Sequence, residues 1–261
     1  MGPGVRGPAV RYAGGWAGGR QERGTYVTLY AGTSGYSYKP WKGKFYPKDL
    51  PDRQTLAYYG EHFDAVEINN TFYGLPTPAA VRGWAKDVGG GFRFALKAPQ
   101  QITHRQRLRD ADEAVAQFLR VAATLGKRLG PVLFQLPPNF PKDLPRLRAF
   151  LQPLSRRRRR VGFEFRHASW FDDEVFALLR DRRVALCIAD DENDLAVPVV
   201  ATTDWGYLRL RRPAYSDAEL ATWAERVRGQ SWQDAFVFFK HEDTATGPRL
   251  ARRFLELAGG S

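Results

Sequence analysis

AVEINNTFYGLP, Ala65 to Pro76, carries the first sign of how this chain is built. Ala65 to Ile68 reads as a short buried strand. Period-two alternation puts Glu67 and Asn69 on one face of it, and an aromatic turn, Phe72-Tyr73, follows. A carboxylate and an amide therefore stand where a strand ends. One such strand alone is most simply a buried, structurally paired glutamate. The design recurs, however: an apolar strand with a polar C-terminal end comes back down the whole chain.

Outward from that stretch, strand-like and helix-like segments alternate from Tyr26 onward, which argues for a parallel sheet with helical crossovers. Strands are expected near residues 27–34, 65–68, 92–97, 131–136, 161–166, 184–189, 206–210 and 235–240. Thr77-Pro78 offers an N-cap with proline in the first turn, and Asp172 or Asp173 a cap for a helix ending at Arg180. Eight strands with following helices close most economically as a single (β/α)8 barrel of the TIM type, in the α/β class. The crossover between the sixth and seventh strands is the least regular, running on to Asp204. Residues 1–25, rich in Gly and Arg and without periodicity, are expected to be a flexible leader, and residues 26–261 the barrel domain.

The totals agree with one large core. The chain has 261 residues, of which 43% are hydrophobic, and no apolar run approaches the roughly 20 residues of a membrane span. Cys187 is the only cysteine, so an internal disulfide and a multi-thiolate metal site are excluded. A reducing, cytoplasmic compartment is expected, with no membrane partner. The net charge of +12 invites a polyanion, but its placement matters more than its sum. The run Arg156 to Arg160 precedes the fifth strand, which puts it on the face opposite a barrel's site.

Barrel geometry places the site at the C-terminal ends of the strands and in the loops after them. Those positions are Ser34, Glu67, Asn69, Lys97, Gln135, Glu164, Arg166, Asp190, Arg209 and Lys240, with His104, His167 and His241 in the loops. Such a ring of polar groups is costly to bury without a use. Arg105 and Arg107 after the third strand, with Trp41, Tyr73, Trp170 and Trp205, suit a phosphate-bearing ligand with stackable bases, although sugars stack equally well on such rings.

The segments GTSGYSYKPWKGKFYP, VEINNTFYGLP, FALKAPQQITH, LFQLPPNF, FEFRHASWF, WGYLRLRR and FKHEDTATGP together resemble the YecE-like family called domain of unknown function 72, over nearly the whole chain from the first strand. Tyr36 stands where that family commonly has Trp, and Gly74 where Arg is common. The resemblance implies a TIM-like barrel and supplies no reaction, and kinship of fold with metal-dependent barrel endonucleases and sugar isomerases is an analogy.

Three readings of function follow. In the first, the protein binds nucleic acid and cleaves phosphodiesters, with Glu67, Glu164 and Asp190 as candidate ligands of a divalent metal completed by one of the histidines. No HxH, HxxxH or HExxH spacing supports such a metal, and no cofactor is otherwise called for. In the second, a metal-free isomerase or lyase acts on a small phosphorylated or carboxylated molecule. Glu67 or Glu164 is then the base, Lys97 or Lys240 a proton-transfer or Schiff-base amine, and His104 or His167 the acid/base histidine. The third is a nucleic-acid-binding module without chemistry. The expected catalytic residues are Glu67, Lys97, His104, Glu164 and Asp190. The expected binding residues are Trp41, Asn69, Tyr73, Arg105, Arg107, Gln135, Arg166, His167, Trp170, Trp205, Arg209 and Lys240.

Overall fold

The computed structural model describes residues 11–12, 27–154, 159–192, 195–240 and 244–259. Eight strands run parallel and in sequence order around a closed barrel: β1 Val27–Ser34, β2 Ala65–Ile68, β3 Arg93–Lys97, β4 Leu129–Gln135, β5 Val161–Glu164, β6 Val184–Asp190, β7 Trp205–Leu210 and β8 Asp234–Phe239. The seam closes through β1 and β8, in register from Thr28 opposite Asp234 to Thr33 opposite Phe239. β2 joins β1 only from Gly32 onward, which leaves the start of β1 with an open edge. Arg11–Tyr12 pairs there antiparallel, with Arg11 opposite Thr28 and Tyr12 opposite Val27. The rest of the expected leader lies outside the described residues, as do Arg156 to Arg158 and His241.

Alternation along the strands sorts the apolar side chains into two layers. Tyr30, Leu133, Cys187, Tyr207 and Phe238 fill the barrel together with the small residues Ala65, Ala95 and Ala185. Val66, Leu96, Phe134, Phe163, Ile188 and Leu208 face outward under the helices. Large rings opposite alanines close the interior without a central pore.

The helices are α1 Thr55–Gly60, α2 Pro78–Asp87, α3 Asp112–Ala123, α4 Leu144–Leu154, α5 Asp173–Arg182, α6 Asp217–Arg228 and α7 Thr246–Gly259. α2 begins as its sequence predicts, with Thr77 Oγ1 accepting from Ala80 N at 3.2 Å, and Asp172 caps α5 through Val175 N at 3.0 Å. Among the described residues a helix does not follow every strand. Among the described residues between β6 and β7 none is helical. The reason lies in register: β7 meets β6 only from Cys187 onward. Thr202 in the connecting segment instead accepts from Leu186 N at 2.9 Å and donates to Val184 O at 2.8 Å, serving the lower part of β6 as a missing strand would. Among the described residues no helix is long and apolar enough to cross a membrane.

β1 and β2 approach so closely at Gly32 that a Cβ there would stand 1.9 Å from Ala65 O and 2.7 Å from the Tyr59 hydroxyl. The obstacle is backbone, so no rotamer change relieves it. Gly32→Ala should lower unfolding stability by roughly 3 kcal/mol or more in a urea titration. A variant as stable as the parent would mean that the seam can spread.

Candidate functional site

The C-terminal mouth is built around one guanidinium. Arg209, on the interior face of β7 two residues after Tyr207, is buried and lies between the buried carboxylates of Glu67 on β2 and Glu164 on β5. Its Nη2 and Nε donate to Glu67 Oε1 at 2.8 and 3.2 Å, and its Nη1 donates to Glu164 Oε2 at 2.5 Å. The strands thus deliver side chains about 140 residues apart in sequence to a single ion cluster.

Each of the four carboxylate oxygens accepts at least one hydrogen bond. Ser34 Oγ donates to Glu67 Oε1 at 2.7 Å, Asn69 Nδ2 to the same oxygen at 3.2 Å, and the Tyr207 hydroxyl to Glu67 Oε2 at 2.6 Å. Gln135 Nε2 and Arg166 Nε donate to Glu164 Oε1 at 2.8 and 2.9 Å. Arg211 Nη1 adds a longer pairing to Glu164, at 3.8 Å, and to Asp191, at 3.6 Å. Burial pushes both carboxyls up, but Arg209 and the surrounding donors outweigh it and hold both below the ordinary glutamate range. Burial and the Glu67 charge keep the Tyr207 hydroxyl firmly protonated.

Lys97, which ends β3, is different. Its Nζ sits 3.8 Å over the Phe72 ring, and among the described residues it makes no hydrogen bond or ion pair to a carboxylate. Burial first, and then the Arg209 charge, bring its pKa down to about 7. His104 packs edge-on against the same Phe72, with centroids 4.9 Å apart, and its Nδ1 lies 2.9 Å from Thr103 Oγ1. Burial and the neighbouring Lys97 lower it to about 4, so at neutral pH this imidazole is uncharged.

Several expected site residues are elsewhere. Asp190 shares the outward parity of Ile188, and its Oδ2 accepts from Arg212 Nε, the Tyr215 hydroxyl and Trp223 Nε1 at 3.1, 2.9 and 3.2 Å, under α6. It does not join the ring. Trp205 opens β7 and therefore lies at the opposite mouth, near Phe236 and Arg160. Trp170 is buried, stacked on Phe165 at 4.7 Å with Nε1 donating to Phe140 O at 2.7 Å. Trp41 is buried among Tyr38, Phe45 and Tyr46. None of the three tryptophans offers a ring face to a ligand at the site mouth.

Of the other expected contacts, Tyr73 is 77% exposed beside Phe72. Arg105 is exposed, while Arg107 reaches over Phe140. His167 Nδ1 bonds Ser169 at the start of the turn after β5. Lys240 follows β8 at the mouth and has a partner of its own. Phe72 and Tyr207 are the participants that were not singled out as site residues. The same period-two count that points Arg209 inward would have found Tyr207.

A divalent metal does not fit this donor set. The oxygens of Glu67 and Glu164 are committed to Arg209, Ser34, Tyr207, Gln135 and Arg166, and Asp190 faces away. Among the described residues no group of three His, Cys, Asp or Glu side chains is arranged to hold an ion.

The family described as "Protein of unknown function DUF72" matches residues 30–261. The chain is similar to the UPF0759 protein YecE of Escherichia coli (strain K12), 39% identical over 118 residues; this match takes in 45% of the chain and only 43% of that relative. It is also similar to the UPF0759 protein YunF of Bacillus subtilis (strain 168), 28% identical over 88% of this chain and 94% of that one. The crystal structure of a DUF72 family protein from Thermotoga maritima superposes with a TM-score of 0.78 at 28% identity, covering 88% of this chain and 98% of that one.

Removing the central cation strands two buried carboxylates. Arg209→Met should cost about 3–5 kcal/mol at pH 7. In the parent, the lowered carboxyl pKa values stabilise the fold above the ordinary glutamate range, and this contribution is lost as pH falls. In the variant, burial without Arg209 raises the same pKa values, so its deficit should be widest near neutrality and shrink toward pH 4. Denaturant titrations of both proteins across pH 4–8 measure this; a deficit constant with pH would contradict it.

Proposed function

The chain belongs to the DUF72 family, and on that premise we propose that its barrel mouth is a metal-free site for a small molecule bearing a phosphate or carboxylate, with Lys97 as the group that exchanges a proton. The observation that carries this reading is an imbalance. Every oxygen of the two carboxylates is engaged by a donor, whereas two cations keep unused capacity toward solvent. Lys97 Nζ has no carboxylate partner among the described residues. Arg166, 25% exposed, uses only Nε on Glu164, which leaves its terminal amino groups without a hydrogen bond to any described residue. A planar fork and a compact ammonium at one mouth are a pairing suited to an oxyanion.

Asn69 supports a polar ligand as well. Its orientation is set by donation to Glu67, which leaves Oδ1 buried with no donor among the described residues. A ligand hydroxyl or a water would satisfy it.

A phosphodiester strand lying across the mouth is the second reading, supported by exposed Tyr73 as a stacking face and exposed Arg105 in the loop after β3. Cleavage of such a strand would have to proceed without the metal that the sequence first suggested. Salt dependence separates the two readings: a strand contacting Arg105 loses about one unit of logarithmic salt slope in Arg105→Met, while binding of a small anion to the mouth is unchanged by that substitution.

Inorganic phosphate titrated by calorimetry tests the principal reading. Arg166→Met should weaken binding roughly 10- to 100-fold, as loss of a charge-assisted bond does. Lys97 is protonated below its pKa of about 7, so its contribution to affinity should be fullest at pH 6 and begin to fall as pH rises through 7. Lys97→Met should remove that step. Phosphate binding that ignores both substitutions would place the anion elsewhere.

A further inference from the structure

Resting on that reading of the mouth as an anion site, we infer that Lys97 forms an imine with the carbonyl carbon of an aldehyde or ketone that also carries a phosphate or carboxylate. Four features of the geometry lead here. The amine ends β3 on the interior parity of Ala95, so it faces the ring of Glu67, Glu164 and Arg209. Phe72 lies flat under Nζ at 3.8 Å, an apolar floor that gives the ammonium little of the hydration it has in water. The carboxylates that would ordinarily fix a lysine as an ion pair are held by Arg209 instead. Arg166, held to Glu164 through Nε alone, keeps its two terminal amino groups unspent at the same mouth, where its charge also bears on Lys97, and these can take the anionic end of the same molecule.

Desolvation among cations is a recognised way of making a lysine nucleophilic at neutral pH. A pKa of about 7 leaves near half of the Lys97 amines uncharged at pH 7. Lys240, the other lysine following a strand at this mouth, already has a partner. The step is balanced without an oxidant or a metal. The nitrogen lone pair forms the C–N bond while the carbonyl π pair moves to oxygen, giving a carbinolamine. That oxygen then departs as water, taking up the two protons the amine started with, as the C=N bond closes. Neutral His104, across the same Phe72, is an acceptor for one of those protons on its way to oxygen.

Pyridoxal 5′-phosphate, an aldehyde with a phosphate, is the probe, and borohydride fixes any imine as a secondary amine for peptide mapping. The expected result is a label on Lys97 at pH 7 exceeding that on exposed lysines such as Lys44 and Lys86 by about tenfold. The yield should rise through pH 7 and be suppressed by inorganic phosphate. Lys97→Arg cannot form the imine, so it should lose this label while melting as a folded protein. Protein that binds phosphate at Arg166 but carries no label on Lys97 overturns the imine and leaves the anion site standing. Protein that shows neither overturns both.

Discussion

The mouth depends on one guanidinium being shared by two carboxylates. Arg209 reaches Glu67 on one side of the barrel and Glu164 on the other, and all three side chains are buried. Glu67, Glu164 and Arg209 sum to one negative charge, which a buried site tolerates poorly. Arg166 and Arg211, both near Glu164, turn that sum positive. A further positive charge is then unwelcome. After desolvation, repulsion from Arg209 is the largest cause of the low Lys97 pKa. The acid–base character of Lys97 is therefore set on strands β2, β5 and β7 as much as on its own.

Such a cluster is a poor way to gain stability, since well-packed apolar residues of similar volume often do as well or better. It is an effective way to fix geometry. Arg209 specifies where Glu67 and Glu164 must lie, Tyr207 and Ser34 lock the first carboxylate, and Gln135 locks the second. Glu67 is then an unsuitable general base: both its oxygens are engaged by donors and its proton affinity is depressed. The group left to exchange protons near neutrality is the one the ring does not hold. The carboxylates so prominent in the sequence become the frame, and the lysine becomes the reactive element.

The barrel and the makeup of the ring were legible in the sequence because both follow from period-two alternation. Glu67, Gln135, Glu164 and Arg209 each sit an even number of positions from an interior apolar or small residue, and each closes or nearly closes its strand. Asp190 fails the same test: Cys187 faces inward, so Asp190 faces outward. Ending the sixth strand at Ala189 hid that, because a residue just beyond a strand carries no parity. The tryptophans failed for another reason. Hydropathy does not distinguish a ring that packs from a ring that waits for a ligand, and Trp41 and Trp170 both pack. Trp205 shows that direction along a strand matters as much as parity, since it faces inward at the wrong end.

The turn after β2 shows why the remainder was out of reach. Phe72 and Tyr73 are adjacent aromatics in a loop, and nothing in their spacing says which one serves the site. In space, Phe72 lies under Lys97 and against His104 while Tyr73 projects into solvent. Thr71 decides between them: its hydroxyl lies 3.1 Å from Ile68 O and 2.6 Å from Lys97 O, tying the turn to the ends of β2 and β3. That tie brings the following residue over the lysine. A threonine between two strand ends thus connects the frame, built by Arg209, to the floor on which the amine rests. The reactivity of Lys97 depends on both, because the frame supplies the repelling charge and the floor withholds water.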